Sequence, residues 1–243
     1  MKRRAAILSL GVFLVGGLVF SGYGQTAKDV LEKMIEAQGG RKALAAIKDT
    51  TISGTIEMPQ MNISGSITIY QKEPDRMRMD MEFMGMVVTQ AYDGQTAWMV
   101  NPQTGGQEVM PEKMTQDFRR QALGNDATLN PEKYGITFAL KGKEKIQDKE
   151  YLVIEQTYKD GQKATIDIDP VTYLPFKSKG TATDMTGADV EAETFFSDYR
   201  KVGDTLAPHA MTVYQNGSEF VRMAFVKIVY NSGLEETLFK MSK

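Results

Sequence analysis

The sequence has no cysteine and a single histidine, His209, among its 243 residues. Disulfide frameworks, thiolate metal sites and cysteine nucleophiles are therefore excluded, and so is a metal site built from several histidines of one chain. The 29 basic and 31 acidic side chains nearly cancel, leaving a net charge of -2. A nucleic-acid binder that works through phosphate contacts carries an excess of basic residues, so the charge balance argues against that class.

Sequence motifs of common catalytic sites are also missing. The chain has no G-x-S-x-G, no H-E-x-x-H and no glycine-rich phosphate loop. His209 follows Pro208 at the start of a predicted strand, where a structural or surface histidine is favoured over a general base. The sequence therefore predicts a protein that is not an enzyme and that needs no cofactor.

Acidic residues are close together in two places, but neither pattern is typical of a site. Asp167 and Asp169 share one face of a predicted strand, and Pro170 follows them directly. A solvent-facing strand end that enters a turn is favoured over a pair of catalytic carboxylates. A second group lacks the glycine-bearing loop of a calcium site, so no metal is predicted there; its members are Asp184, Asp189, Glu191 and Glu193.

Residues 1–24 have the pattern of a secretory signal peptide. Lys2, Arg3 and Arg4 precede an apolar run over 5–20, and small residues follow up to Gly24. The run is shorter than the roughly 20 apolar residues of a membrane-spanning helix. We therefore predict cleavage after Gly24 and one secreted domain over 25–243, with an uncleaved N-terminal anchor as the alternative.

Three helices are predicted from apolar spacing. The first begins after Thr26 as its N-cap and ends at the Gly39-Gly40 pair. Its apolar stripe has the i, i+3, i+4, i+7 spacing of one helix face and consists of Ala27, Val30, Leu31, Met34 and Ile35. A second short helix is expected over 41–47, and an amphipathic one over 111–123.

From Thr50 onward the apolar residues alternate with polar ones, which is the period of β-strands. Asp-Gly and Asn-Gly pairs between the strands favour tight hairpins. The sequence thus predicts a mainly β (α+β) protein with a long antiparallel meander of about a dozen strands, barrel-like or half-barrel, and a few packed helices. The predicted strands are 50–58, 62–70, 76–83, 86–92, 96–100, 135–141, 151–158, 163–169, 174–182, 190–199, 209–215 and 218–230.

Methionine is the most unusual component, with 16 residues in the chain. The strand over 76–83 places Met77, Met79, Met81 and Phe83 on one face and charged residues on the other. Methionine side chains are adaptable and suit a surface that accepts apolar ligands of varied shape. The alternative, which this feature alone favours, is ordinary filling of a core.

Several segments together resemble the LolA/LolB-like superfamily of periplasmic lipoprotein and lipid carriers. The likeness runs through most of the chain after the signal peptide, although no single segment is specific by itself. It is carried by IYQKEPDRMRMDM (69–81), YDGQTAWMVNP (92–102), ATIDIDPVTYLPFKSK (164–179), FFSDYRKVGDTLAPHAMTVY (195–214) and IVYNSGLEETLFKM (228–241).

This resemblance implies an unclosed antiparallel half-barrel of about 11–12 strands whose concave apolar face, covered by helices, receives acyl chains. It implies a monomer in the periplasm that binds an acylated lipoprotein or lipid. An inner-membrane transporter and an outer-membrane acceptor become candidate partners, and a lipid-sensing module is the alternative function on the same scaffold. The lining residues are then expected to be Ile67, Ile69, Met77, Met79, Met81, Phe83, Trp98, Phe138 and Ile154.

One position departs from the family pattern. Lipoprotein carriers of this family usually have a basic residue before the proline of the first segment, where it helps to hold the lid closed. This sequence has Glu73 before Pro74. The usual latch is therefore not expected here, unless Arg76 or Arg78 takes the place of the basic residue.

Overall fold

A computed structural model describes residues 25–101, 104–184 and 186–242. The predicted signal peptide lies outside these residues. The described chain contains four α-helices, α1 Ala27–Ala37, α2 Gly40–Ala46, α3 Glu112–Gln121 and α4 Asn125–Leu129. Its thirteen strands are β1 Asp49–Met58, β2 Ile63–Lys72, β3 Arg76–Phe83, β4 Met86–Tyr92, β5 Ala97–Val100, β6 Gln107–Val109, β7 Thr137–Ile146, β8 Lys149–Thr157, β9 Lys163–Ile168, β10 Pro175–Thr183, β11 Asp189–Val202, β12 Thr205–Gln215 and β13 Ser218–Tyr230.

All thirteen strands form one antiparallel sheet that does not close into a barrel. Its order is β6-β5-β4-β3-β2-β1-β13-β12-β11-β10-β9-β8-β7. Two meanders, β1 to β6 and β7 to β13, are therefore joined side by side through the pairing of β1 with β13. The chain between them, residues 110–136, runs from one edge of the sheet to the other and carries α3 and α4. The prediction of an unclosed antiparallel sheet with a few helices is confirmed.

The sheet is strongly curled, as the contacts of α3 show. This helix has 10 residues and is thus about 15 Å long. It contacts both β4 and β10, which are seven strand spacings apart in the sheet order. In a flat sheet these strands would be about 33 Å apart. The helix therefore lies on the concave side.

Two glycines within strands permit this curl. A Cβ atom at Gly54 of β1 would lie 2.0 Å from the carbonyl oxygen of Ala224 in β13. A Cβ at Gly65 of β2 would lie 1.9 Å from the carbonyl oxygen of Glu82 in β3. Neither distance is compatible with a side chain, and glycines at such positions typically mark bends where backbones approach closely. A bulge also interrupts the β1–β13 pairing between Ser53 and Gly54.

The helices bury their apolar stripes on the concave face. Thr26 and Asp29 form the capping box that begins α1, as its predicted N-cap requires. The helical side of the main core consists of Val30, Leu31, Met34 and Ile35 from α1, Leu44 from α2 and Leu129 from α4. Their partners on the sheet are Leu152, Ile154 and Ile168. No helix in the described part of the chain is long and apolar enough to cross a membrane.

Several element boundaries differ from the sequence prediction. The strand β6 was not predicted, because three residues are too few to show an alternation. The helix α4 was also not predicted, since five residues do not complete a recognisable apolar stripe. Strands β7 and β11 extend beyond the predicted ends, to Ile146 and Val202.

The prediction that Asp167 faces solvent is wrong. Its side chain is only 1% exposed, and the ammonium group of Lys177, itself 8% exposed, lies 3.0 Å from the carboxylate. Burial raises the pKa of Asp167. Asp169 lies where the strand enters its turn, as predicted, and its carboxylate accepts hydrogen bonds from the backbone amides of Val171 and Thr172. Its side chain is nevertheless only 14% exposed and pairs with Lys149.

We expect Lys177→Met to destabilise the fold by about 3 kcal/mol, because it leaves a buried carboxylate without its cation. Urea unfolding measures this change. Lys143→Met is the control, since its partner Glu150 and Lys143 itself are both more than half exposed, and it should cost less than about 1 kcal/mol. The double variant Asp167→Leu/Lys177→Met should recover most of the loss. A Lys177→Met protein as stable as the control would contradict this account.

Candidate functional site

A cleft of about 520 Å³ lies between α3 and the turns at one end of the sheet. An inner space of about 190 Å³ lies next to it, and both are bounded by Arg120, Leu123, Ile136 and Tyr158. The inner space reaches Met34 of α1, Phe138 of β7 and Ile166 of β9. The two together lead from solvent to the interior between the helices and the concave face of the sheet.

Of the nine predicted lining residues, eight lie on the concave face. Met77, Met79 and Ile69 pack in one cluster with Phe118 of α3. Ile67, Met81 and Phe83 form a second cluster with neighbouring strands, in which none of the residues comes from a helix. Phe138 and Ile154 belong to the core under α1 and α2, and of the nine only Phe138 directly bounds the inner space.

Trp98 lies on the opposite face of the sheet. Its indole nitrogen donates a 2.8 Å hydrogen bond to the carbonyl oxygen of Phe239, in the C-terminal segment that packs over this face. Arg78, which shares this face, donates to the carbonyl oxygen of Leu238. The neighbour of Trp98 in sequence, Ala97, is the residue that packs in the concave cluster. Because residues 97–100 are apolar on both faces, alternation could not decide between these orientations.

The methionines that follow β3 are not part of the covered face. Met84 and Gly85 form the two-residue turn between β3 and β4, with φ of 51° and 81°. Met84 is 88% exposed and Met86 is 58% exposed. The methionine-rich stretch is thus divided into a covered part on β3 and an uncovered hairpin tip.

Residues of α3 attach the crossover segment 110–136 to both halves of the sheet. The Asp117 carboxylate accepts a 2.7 Å hydrogen bond from the backbone amide of Thr183 in β10. Arg120 pairs with Asp117 and with Asp160 in the turn between β8 and β9. On the other side, Arg119 Nε donates to the hydroxyl of Tyr92 in β4, at 3.1 Å. The helix therefore bridges the open side of the curled sheet.

Glu73, the position that departs from the family pattern, holds the next part of the same segment. Its carboxylate accepts hydrogen bonds from the backbone amides of Asn125, at 2.6 Å, and Asp126, at 3.3 Å, in the first turn of α4. The Gly124 amide donates to the carbonyl oxygen of Pro74 at 3.0 Å. A Cβ at Gly124 would lie 2.3 Å from the Glu73 carboxylate, so a side chain at this position would displace the carboxylate from its present place. Burial raises the pKa of Glu73.

Asp126, in the first turn of α4, links this helix to the residues that follow it. Its carboxylate accepts hydrogen bonds from Lys133, Tyr134 and Asn130. These bonds, that of Lys133 most strongly, lower the pKa of Asp126 to about 2. The turn that carries Tyr134 and Ile136, both of which bound the cleft, is thereby held against α4.

The residues considered for catalysis or metal binding do not border this space. His209 is buried within β12, and its Nδ1 atom lies 3.0 Å from the carbonyl oxygen of Ala207. Asp184 accepts hydrogen bonds from its own turn, and Glu191 and Glu193 pair with Lys179. In the described ranges, no group of three or more acidic or histidine side chains is arranged to hold a metal ion.

Comparison with solved structures identifies the fold. Over 89% of this chain and 98% of the other, a LolA superfamily protein from Nitrosomonas europaea superposes with a TM-score of 0.61 and 14% identity. The chain has the LolA-like fold. A DUF1329 family protein from Desulfovibrio piger also matches, with a TM-score of 0.57 and 17% identity over 88% of this chain and 97% of that one.

A third LolA-like structure comes from Vibrio parahaemolyticus, a domain described as an outer membrane lipoprotein-sorting protein. It matches with a TM-score of 0.55 and 17% identity, over 88% of this chain and 97% of that one. Neither the protein-family models nor the curated proteins match the sequence. The predicted resemblance is therefore confirmed at the level of the LolA-like fold.

We expect Glu73→Ala to loosen α4 without unfolding the sheet. Loss of the two bonds to its first turn should cost roughly 1 kcal/mol locally, which is about five-fold faster hydrogen exchange at the amides of Asn125 and Asp126. Exchange measured by NMR or mass spectrometry checks this. Glu57→Ala, which removes a carboxylate paired with the exposed Arg222, is the control and should leave both amides unchanged. Equal exchange in the Glu73 variant and the wild type would show that Glu73 does not hold α4.

Proposed function

We propose that this LolA-like protein is a periplasmic carrier that shields the acyl chains of lipoproteins, or of a related lipid, during transfer to the outer membrane. It acts without catalysis and as a monomer. The observation that carries the proposal is the cleft between α3 and the sheet, which leads inward to apolar side chains of the concave face. The predicted signal peptide supports the location.

A diffusible lipid carrier has a definite energetic task. Transfer of one acyl chain of about 15 methylenes into water costs on the order of 12 kcal/mol, at ~0.8 kcal/mol per methylene. The carrier must therefore provide nearly all of the apolar environment that the acyl chain has in the membrane. The concave face of the sheet offers such an environment over β2, β3, β12 and β13, where the cluster around Ile67 and Met81 includes no helical residue.

The cover over this face would have to move to admit a ligand. The helix α3 is held to the sheet by the apolar cluster around Phe118 and by polar contacts from Asp117, Arg119 and Arg120. Local opening of one such element costs less than unfolding of the whole sheet. We propose that ligand enters by displacement of α3, while the sheet keeps its pairing.

The first test is mass spectrometry under conditions that preserve bound ligands. The chain is expressed with its predicted signal peptide, recovered from the periplasm and purified without detergent. We expect co-purifying acyl species that are released on denaturation. A ligand-free mass, together with failure to take up a fluorescent fatty acid, would contradict the proposal. If lipid is found, depletion separates a carrier, whose loss strands lipoproteins in the inner membrane, from a sensor, whose loss alters only a stress response.

The second test places a charge on the concave face. We expect Met79→Glu to abolish uptake of a fluorescent fatty acid, because the carboxylate would have to share a desolvated surface with the acyl chain. Met86→Glu is the matched control, since it makes the same change on the exposed side chain of the neighbouring hairpin tip and should bind normally. Urea unfolding of both variants checks that they fold. Normal uptake by folded Met79→Glu would exclude this part of the face from the site.

A further inference from the structure

We propose that the ligand of this cleft is an amphiphile with an anionic headgroup, carboxylate or phosphate, bound at the cleft mouth by Arg119 and Lys159. This inference rests on the proposed function and selects its second form, a related lipid, because the acyl groups of a lipoprotein carry no anionic headgroup. Arg119 and Lys159 both bound the cleft, and they differ from its third cation, Arg120, which pairs with Asp117 and Asp160.

Arg119 is positioned by Tyr92 and has no ion-pair partner among the described residues. Its Nε atom donates to the hydroxyl of Tyr92, whose side chain is almost wholly buried. Within the described residues, no carboxylate lies within ion-pair distance of its guanidinium group. The two terminal nitrogens are thus free to donate. A guanidinium with free terminal nitrogens is suited to bidentate binding of a carboxylate or a phosphate.

Lys159 provides the second cation. It lies in the turn between β8 and β9, directly before Asp160, and is exposed. In the part of the chain that the structure describes, its ammonium group also has no carboxylate within ion-pair distance. Its side-chain stem lies beside Gly135, where an added Cβ would be 3.1 Å away, so the turn is packed against the cleft wall.

The acidic groups of the cleft are already paired. Asp75 accepts from Arg76 at 2.8 Å, and Asp160 pairs with Arg120. They reduce the positive potential at the mouth but do not contact Arg119 or Lys159 as ion-pair partners. In the described residues, the mouth thus keeps two cations that have no carboxylate within ion-pair distance. An anion at this place would form charge-assisted hydrogen bonds that a neutral headgroup cannot form.

Apolar side chains beside the two cations can take the chain of such a ligand. Leu123 and Ile136 bound the cleft together with Arg119 and Lys159. The adjoining inner space adds Met34, Phe138 and Ile166, beside the polar Thr128 and Gln156. A headgroup at Arg119 would therefore have an apolar wall next to it for its chain. The volume of the cleft, about 520 Å³, falls in the range of pockets for small ligands.

The test compares ligands with the same chain and different headgroups. Dodecanoate, dodecyl phosphate, dodecanol and dodecyltrimethylammonium compete, below their micelle concentrations, with a dansyl-labelled fatty acid. We expect the two anions to bind roughly ten-fold more tightly than the alcohol, and the cation most weakly. Added salt should reduce the advantage of the anions. Inorganic phosphate alone should not displace the probe, because it lacks the chain; displacement at equal concentration would instead indicate a site for free anions and would overturn the proposal.

Variants assign the preference to the two residues. Arg119→Gln should weaken binding of both anions by roughly ten-fold and leave dodecanol unchanged, with a smaller loss in Lys159→Gln. Lys201→Gln, at an exposed lysine of β11 outside the cleft, is the charge-matched control and should bind as the wild type. Equal affinity of wild type for anions and dodecanol would overturn this inference and leave the carrier function standing. Binding of none of the amphiphiles would overturn the carrier function itself.

Discussion

The constraint on which this structure depends is that a thirteen-stranded sheet curls without closing. Curling creates a concave face that has no opposing sheet. Close backbone approach at Gly54 and Gly65 makes the curl possible. In the cluster around Ile67 and Met81 the strands bury their own apolar side chains. Elsewhere helices cover this face: α1, α2 and α4 over Ile154 and Ile168, and α3 over Met77. The space left beside α3 is the cleft.

Four consecutive residues of the helix α3 cover the concave face, connect the helix to the sheet and bound the cleft. Phe118 packs into the concave cluster, while Asp117 and Arg120 connect the helix to the far half of the sheet. Arg119, between them, is left to bound the cleft. Because a helix turns by about 100° per residue, neighbours in sequence serve different sides of the segment. Movement of this helix would therefore change the cover and the cationic mouth together.

The sequence predicted the elements whose signals are local and repeated. The capped helix that begins after Thr26, and the alternation of Met77, Met79 and Met81, appear in the structure as expected. The features that were missed depend on distant parts of the chain. The helix α4 is short and is held by Glu73, and Trp98 turns outward because the C-terminal segment supplies its hydrogen-bond partner. Asp167 is buried because Lys177, from the next strand, accompanies it.

Because the two meanders are joined by one crossover connection, the length of that connection can change independently of the strand pairing. Among the described strands, each consecutive pair is joined by a hairpin, except β6 and β7. Residues gained or lost in their crossover connection would shift no strand register, whereas an insertion within a strand would disturb a ladder. The distance of the crossover segment from the concave face can thus vary while the strand pairing stays the same. Deletions and insertions in this stretch could therefore change the volume enclosed between the segment and the sheet while the sheet itself stays unchanged.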